Sequence, residues 1–474
     1  MPQAPSVAVP PRLPLVIQPE NRDESTLKDA KLINGFVEKD ALTGEYHVYK
    51  RPGLSVYGAT IATAGRGVYN WRGNVYRIQG STIYKDDVAI AGGAPNGALN
   101  TAGGVYHFSS TRGATPQLQF GNGAAAYNYD GGAGPITTIA GANFPSPAVK
   151  GWAYLDGTTY VMDAEAAIHG CDTLNDPIAW TDVLNVIEAQ IEPDDGVALA
   201  KQLVYVIAFK QWSTEVFYDA QNALASPLGP VQGAKINMGC INSDSVQELD
   251  GALFWLAVNR KTSPQIMMLD NLKPQVISTK AIDRLIAHAA FGTIYSFAFK
   301  CNGHRYYAIT LVTGNITLVY DVAERMWAQW TDVNGNYFPF VSATFTSTYD
   351  LILQHESDGK LYQIDPLLYT DNGSIITFDL YTPNFDAGNR RTKQLNMMWF
   401  IGDKSPGTVL QVRSNDSDYA ADGWSNFRTV DMGQDDPFLE NEGSFVRRAY
   451  HLRCQCNAPL RIQAIDLQLD LGTL

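Results

Sequence analysis

Few residues of this 474-residue chain stand at spacings that support chemistry. Gly121-Asn-Gly-Ala-Ala-Ala begins like a dinucleotide fingerprint, whose glycines let backbone approach a pyrophosphate at a helix N-terminus. It lies between two stretches that read as strands, with no helix pattern after it, so the βαβ context is missing. No Gly-x-x-x-x-Gly-Lys-Ser/Thr phosphate loop occurs. No Gly-x-Ser-x-Gly nucleophile turn occurs either, since Gly53-Leu-Ser-Val-Tyr-Gly has the wrong spacing. His355-Glu356 has no second His four positions after the first. The seven histidines, His47, His107, His169, His288, His304, His355 and His451, form no pair with metal-ligand spacing. Asp332-Val-Asn-Gly-Asn-Tyr alternates oxygen side chains as a calcium loop does, but its Gly comes two residues early and no Glu stands at the twelfth position, so it reads as a turn. Asp194-Asp195, Asp435-Asp436 and Glu440/Glu442 read as solvated loop charge rather than a glycosidase acid pair. Ser417-Asp-Tyr-Ala-Ala-Asp-Gly-Trp424 has only the outline of an Asp-box turn, with the wrong spacing. Cys454 and Cys456 alternate as on one face of a strand and read as small buried hydrophobes. The expectation is no catalytic residue, no metal ligand and no cofactor.

The charge balance points the same way. Lys plus Arg is 35 and Asp plus Glu is 48, a net charge of −13, and charged residues are 18% of the chain. That is below the roughly 25% usual in soluble domains. It argues against a disordered solvating chain and against a basic domain that grips nucleic acid. No stretch of about 20 apolar residues exists to span a membrane as a helix. Six prolines among the first nineteen residues break any signal-peptide helix. Five sparse cysteines suit a reducing cytoplasm better than a disulfide framework. The cationic residues Arg22, Lys50, Arg51, Arg390, Arg391, Arg447 and Arg448 are the candidate assembly contacts.

The elements that must carry these residues are strands. Short alternating runs of Val, Ile, Tyr, Phe and Trp are punctuated by Asp-Gly, Asn-Gly and Gly-Asn, which accept the positive φ of tight hairpins. Seven such hairpins turn near Gly73, Gly123, Gly157, Gln211, Gly251, Gly303 and Gly359. Their spacing ranges from 34 to 56 residues, the loose period of a propeller blade. A single blade cannot bury both its faces, whereas a closed ring packs each against two neighbours. The fold expected is all-β: a β-propeller of about seven blades, with six and eight left open, an extended N-terminal arm and a C-terminal β-sandwich-like domain. The corresponding segments are 1–54 (arm and hairpin), 55–370 (propeller) and 371–474 (sandwich-like). Residues 1–20 read as a Pro-rich arm that makes no core by itself. In the last segment, 375–381, 393–400, 408–413, 445–456 and 460–471 read as longer strands. Only 181–190 and 279–290 read as helices.

Two segments are more specific. One runs from Pro19-Glu-Asn-Arg-Asp-Glu-Ser through Lys28-Asp-Ala-Lys-Leu-Ile-Asn-Gly to Tyr49-Lys-Arg-Pro-Gly-Leu. The other runs from Phe209-Lys-Gln-Trp-Ser-Thr-Glu-Val-Phe-Tyr-Asp through Ser226-Pro-Leu-Gly-Pro and Met238-Gly-Cys-Ile-Asn-Ser-Asp-Ser-Val to Leu249-Asp-Gly-Ala-Leu-Phe-Trp-Leu. Together they resemble the packaged-DNA stabilisation proteins of short-tailed phages, the tail hub or nozzle family, over about residues 15–370. The resemblance implies a virion structural protein and no enzyme. It implies a homo-oligomer, a hexameric ring, below the portal and head-to-tail adaptor, synthesised in the host cytoplasm. Such a ring extends the DNA channel, passes double-stranded DNA without sequence-specific binding, and carries needle, fibres or tailspikes. The competing expectation is a propeller that binds or cleaves glycans.

Overall fold

The computed structural model describes residues 11–15, 19, 30–90, 98–132, 134–172, 174, 176–222 and 224–472. Contacts divide the chain into two units: 1–55 with 315–338 and 365–474, and 56–314 with 339–364.

The second unit is the propeller. Four successive four-stranded antiparallel sheets begin at Gly65–Trp71, His107–Ser110, Ala153–Leu155 and Gly196–Gln202. A five-stranded sheet follows, in which Gln247–Leu249 and Ala252–Asn259 pair. The hairpin of Ile294–Cys301 with His304–Leu311 comes next, then Phe340–Phe345 paired to Leu351–His355. That makes seven successive blades' worth of sheet. The last meets the first, so the ring closes: Asn70 N donates to Thr344 Oγ1 at 2.9 Å, and Gln354 takes Gly67 N at 2.6 Å while donating to Ile78 O at 2.9 Å. Sheets bury their faces on the next blade; Phe209 and Trp255, from consecutive sheets, lie 5.1 Å apart in one shared core.

The expected hairpins are present, but they are not equivalent. Gly73, Gly157 and Gly303 join the first and second strands of their sheets, and Gly123 and Gly359 join the next pair. This alternation explains the uneven spacing. The helix Lys280–His288 forms where expected, with Thr279 Oγ1 capping Ile282 N and Ala281, Ile282, Leu285 and Ile286 buried. The helix expected over 181–190 is absent. Asp172 instead binds the backbone N–H groups of Thr181 and Asp182, and Val186–Glu188 adds to Ala167–Gly170 as an edge strand. Strand pairing of Val186–Glu188 with Ala167–Gly170 takes up the backbone groups that a helix over this segment would pair internally.

The first unit is a β-sandwich. One sheet orders Gly35–Lys39, Tyr46–Lys50, Arg461–Leu471, Lys393–Gly402 and Phe438–Phe445. Facing it, Lys31–Ile33, Phe378–Tyr381, Ala449–Cys454, Val409–Asn415 and Arg428–Asp431 lie side by side. Val48, Met398, Phe400, Ile465 and Leu467 from one sheet share a core with Leu32, Leu380, Leu410, Val412 and Leu452 from the other. Described residues of the N-terminal arm, which makes no core by itself, contribute to this one. Leu13 and Leu15 are buried in it, and Leu13 N donates to Ile465 O at 2.9 Å. A short extended segment buries apolar side chains readily once a sheet edge supplies its hydrogen bonds.

Candidate functional sites: the propeller channel and the buried cations

All seven blades line one cavity of about 670 Å³ at the centre of the propeller. Its charged centre is Asp244. Asn242 caps the short turn Ser243–Ser245 and accepts from Asp244 N at 2.7 Å, which aims the carboxylate inward. Lys150 Nζ reaches Asp244 Oδ2 at 2.7 Å, and His107 Nε2 lies 3.1 Å from Oδ1. Burial opposes the carboxylate's charge, but the His107 hydrogen bond and the Lys150 ammonium outweigh it and hold its pKa below the ordinary value. Among the described residues the side-chain partner of His107 is Asp244. The cluster's product is mechanical: three blades are tied across the channel.

A second buried cation explains part of the long motif around 209. Lys210 is fully buried, and its Nζ contacts Glu215 Oε1 at 2.7 Å, Asp194 Oδ1 at 3.0 Å, Ala189 O at 2.8 Å and Glu192 O at 2.5 Å. Asp194 is therefore not solvated loop charge; its side chain is 1% exposed and it also takes Trp212 N at 2.7 Å. Gly239 belongs to the same motif because a Cβ there would strike the backbone carbonyls of Gln211 and Lys210.

The Lys50-Arg51-Pro-Gly run builds a node inside the first unit. Arg51 is 1% exposed. Nη1 and Nη2 grip Asp371 at 3.0 and 2.6 Å, Nε donates to Asn34 Oδ1 at 2.9 Å, and the remaining N–H groups meet Pro52 O at 3.1 Å and Thr331 O at 3.2 Å. All five guanidinium donors thus have acceptors. The guanidinium also lies 5.5 Å from the Trp330 ring and 5.1 Å from Phe338. Gly53 follows because a Cβ would collide with the Thr370 backbone.

The candidate assembly contacts therefore divide. Lys50, Arg51 and Arg448 are buried, which corrects the expectation that they reach other chains. Lys50 Nζ donates to Cys456 O at 2.6 Å, and Arg448 Nε and Nη2 bind Asp416 at 2.6 and 2.8 Å. Arg390, Arg391 and Arg447 are exposed. Arg22 lies outside the described residues. The sequence assigned no role to Asn34, Asp371 or Asp244, whose partners are remote in the chain, although Asn34 and Asp244 stand inside the two long motifs and Asn34 opens an Asn-Gly step with positive φ. The Asp332 segment is a turn, its carboxylate accepting from Asn334 N and Asn336 N at 2.9 and 2.7 Å. Among the described residues, no group of three or more His, Cys, Asp or Glu is placed to hold a metal ion, and no helix is long and apolar enough to cross a membrane.

A search of curated proteins gives no match. Solved structures resemble the chain at low identity. A streptogramin B lyase is 9% identical, covering 66% of this chain and 98% of the lyase at a TM-score of 0.41. The extracellular domain of the putative one-component system BT4673 from B. thetaiotaomicron is 10% identical, covering 86% of this chain and 58% of that one at 0.43. The WD40 β-propeller domain of Doa1 is 10% identical, covering 67% and 96% at 0.38. The family described as bacteriophage P22 Gp10, β-propeller, matches residues 20–366, which take in both long motifs, the Arg51 node's N-terminal half and the ring of sheets. The chain belongs to this phage-stabilisation family and is a β-propeller structural protein of the phage tail.

Proposed function

We propose that the chain is the repeating subunit of a tail nozzle or hub: a homo-oligomer, a hexamer by resemblance, below the portal and head-to-tail adaptor. It extends the DNA channel, stabilises packaged DNA and carries needle, fibre or tailspike proteins. The observation that carries this reading is the family match across residues 20–366. The geometry supports it. The propeller's own channel is tied shut at Asp244, so DNA runs along surfaces of the assembled ring rather than through one subunit. A net charge of −13 suits a wall past which phosphates slide without sticking. The reading includes no enzymatic step. One carboxylate of each sequence pair is engaged in an ion pair, Asp194 with Lys210, Asp435 with Lys404 and Glu442 with Arg428. Arg390, Arg391 and Arg447 remain the exposed candidates for contacts between chains.

Native mass spectrometry of the purified chain, alone and mixed with tail-less heads, tests this. The expected result is a closed ring, or a monomer that closes into a ring on the heads. A chain that stays monomeric and ignores the heads contradicts it.

A further inference from the structure

One face of the sandwich in the first unit carries a cluster that the Arg51 node and the core leave unexplained. Cross-strand register builds it. Tyr381, His451 and Arg413 form one row, and Asp379, Arg453 and Gln411 form the next. The alternate residues Leu380, Leu452, Leu410 and Val412 enter the core, so these rows stand on the opposite face. The Arg413 guanidinium lies 4.9 Å from the Trp424 ring and 4.6 Å from Phe427, and Arg453 lies 5.3 Å from Phe427. A hydrogen-bond chain holds both arginines by Nε. Arg413 Nε donates to His451 Nδ1 at 2.9 Å, His451 Nε2 lies 2.6 Å from Asp379 Oδ1, and that same oxygen takes Arg453 Nε at 2.7 Å. Because Nδ1 accepts from a guanidinium, the His451 proton sits on Nε2 and the ring is neutral. Burial, with the two arginine charges, keeps it so against the pull of Asp379. The Tyr381 hydroxyl lies beside Arg413. No carboxylate or carbonyl of the described residues takes the terminal amino groups of either arginine. Two guanidiniums thus face one carboxylate on a partly exposed surface of an acidic chain; the Arg453 side chain is 28% exposed.

We propose that this face binds an extended acidic segment of another tail protein, with carboxylates two residues apart. Diagonal positions on paired strands are about 7–8 Å apart, and residues i and i+2 of an extended segment are about 6.6 Å apart. Each planar fork matches one carboxylate in a bidentate pair. Stacking and the Nε anchors fix both forks in advance, which lowers the ordering cost of binding. The rings spend their faces on the arginines, which disfavours a sugar or a nucleobase as the occupant. Two cations neutralise too few phosphates to hold duplex DNA at physiological salt. The proposal rests on the nozzle reading only in assigning the segment to a tail protein; the peptide experiment does not depend on it.

The probe is a fluorescent ten-residue peptide with two Glu separated by one Thr, titrated into the full chain and followed by anisotropy. Wild type is expected to bind, and the same peptide with both Glu replaced by Gln is not. Arg413→Gln with Arg453→Gln should weaken binding at least tenfold, while Arg390→Gln with Arg391→Gln changes it less than twofold. Should the double Gln variant fail to melt like wild type, Arg413→Lys with Arg453→Lys keeps the charges, removes the forks and should still weaken binding several-fold. Undiminished binding by a folded double variant overturns the proposal, as does equal binding of the Gln peptide. If the variants bind the peptide normally but lose ring formation, the occupant is a second copy of this chain and the proposal fails as stated.

Discussion

Arg51 shows how a surface-looking basic run becomes internal structure. A Lys-Arg pair beside Pro-Gly has no local carboxylate, so the sequence offers nothing to bury it against. Its acceptors come from Asn34, Thr331 and Asp371. The charge is buried only because every N–H is met. Arg51→Met strands the Asp371 carboxylate and should cost about 3–5 kcal/mol, read as a fall in denaturation midpoint. Arg51→Lys keeps the charge without the five-donor fork and should recover only part of it. A second residue-scale prediction concerns acid. Burial holds His451 neutral, with its pKa below the ordinary value of about 6.5. The unfolded chain therefore takes up that proton first, and the stability His451 contributes is complete above about pH 6.5 and lost as pH falls below it. Asp379, held low by His451 and Arg453 against its own burial, keeps its contribution until more acidic pH. Melting temperature measured from pH 8 to 5 should drop more steeply in wild type than in His451→Gln.

Strands and hairpins were largely legible because Asp-Gly and Asn-Gly report turn geometry directly. Asp156, Asp250 and Asn302 all take positive φ, followed by Gly157, Gly251 and Gly303. Which hairpin of a blade each turn belongs to was not legible, since both inner hairpins use the same chemistry. The 181–190 helix failed because Val186–Glu188 pairs as an edge strand with Ala167–Gly170, a partner outside the segment that the local pattern does not announce. The docking of the N-terminal arm was not legible because proline content says nothing about Leu13 and Leu15, whose burial depends on a strand more than 440 residues away. A truncation separates these parts. Removing residues 1–10 should leave the melting temperature within about 1 °C of wild type, whereas removing 1–20 takes two buried leucines, each worth about 1.5–3 kcal/mol, and should lower it by several degrees. If the segment before Pro11 reaches the adaptor, the shorter truncation weakens attachment to heads without that loss of stability.

At the scale of the whole chain, its charged groups act mainly as fasteners. Lys150, His107 and Asp244 tie three blades; Lys210 pins the fourth sheet's loops; Arg51 and Arg448 lock loops of the sandwich. Rigid closure suits a structural protein of the phage tail, and the proposed binding at the Arg413 face lies outside the closed ring. The candidate site was the least legible part of the sequence because it consists of pairs made across the ring and across the sandwich. The most direct measurement is nuclease protection of DNA in filled heads that lack this chain. The account predicts that such heads expose their DNA, that adding the wild-type chain restores protection, and that a heat-denatured sample of the same chain does not. Full protection without the chain would contradict it.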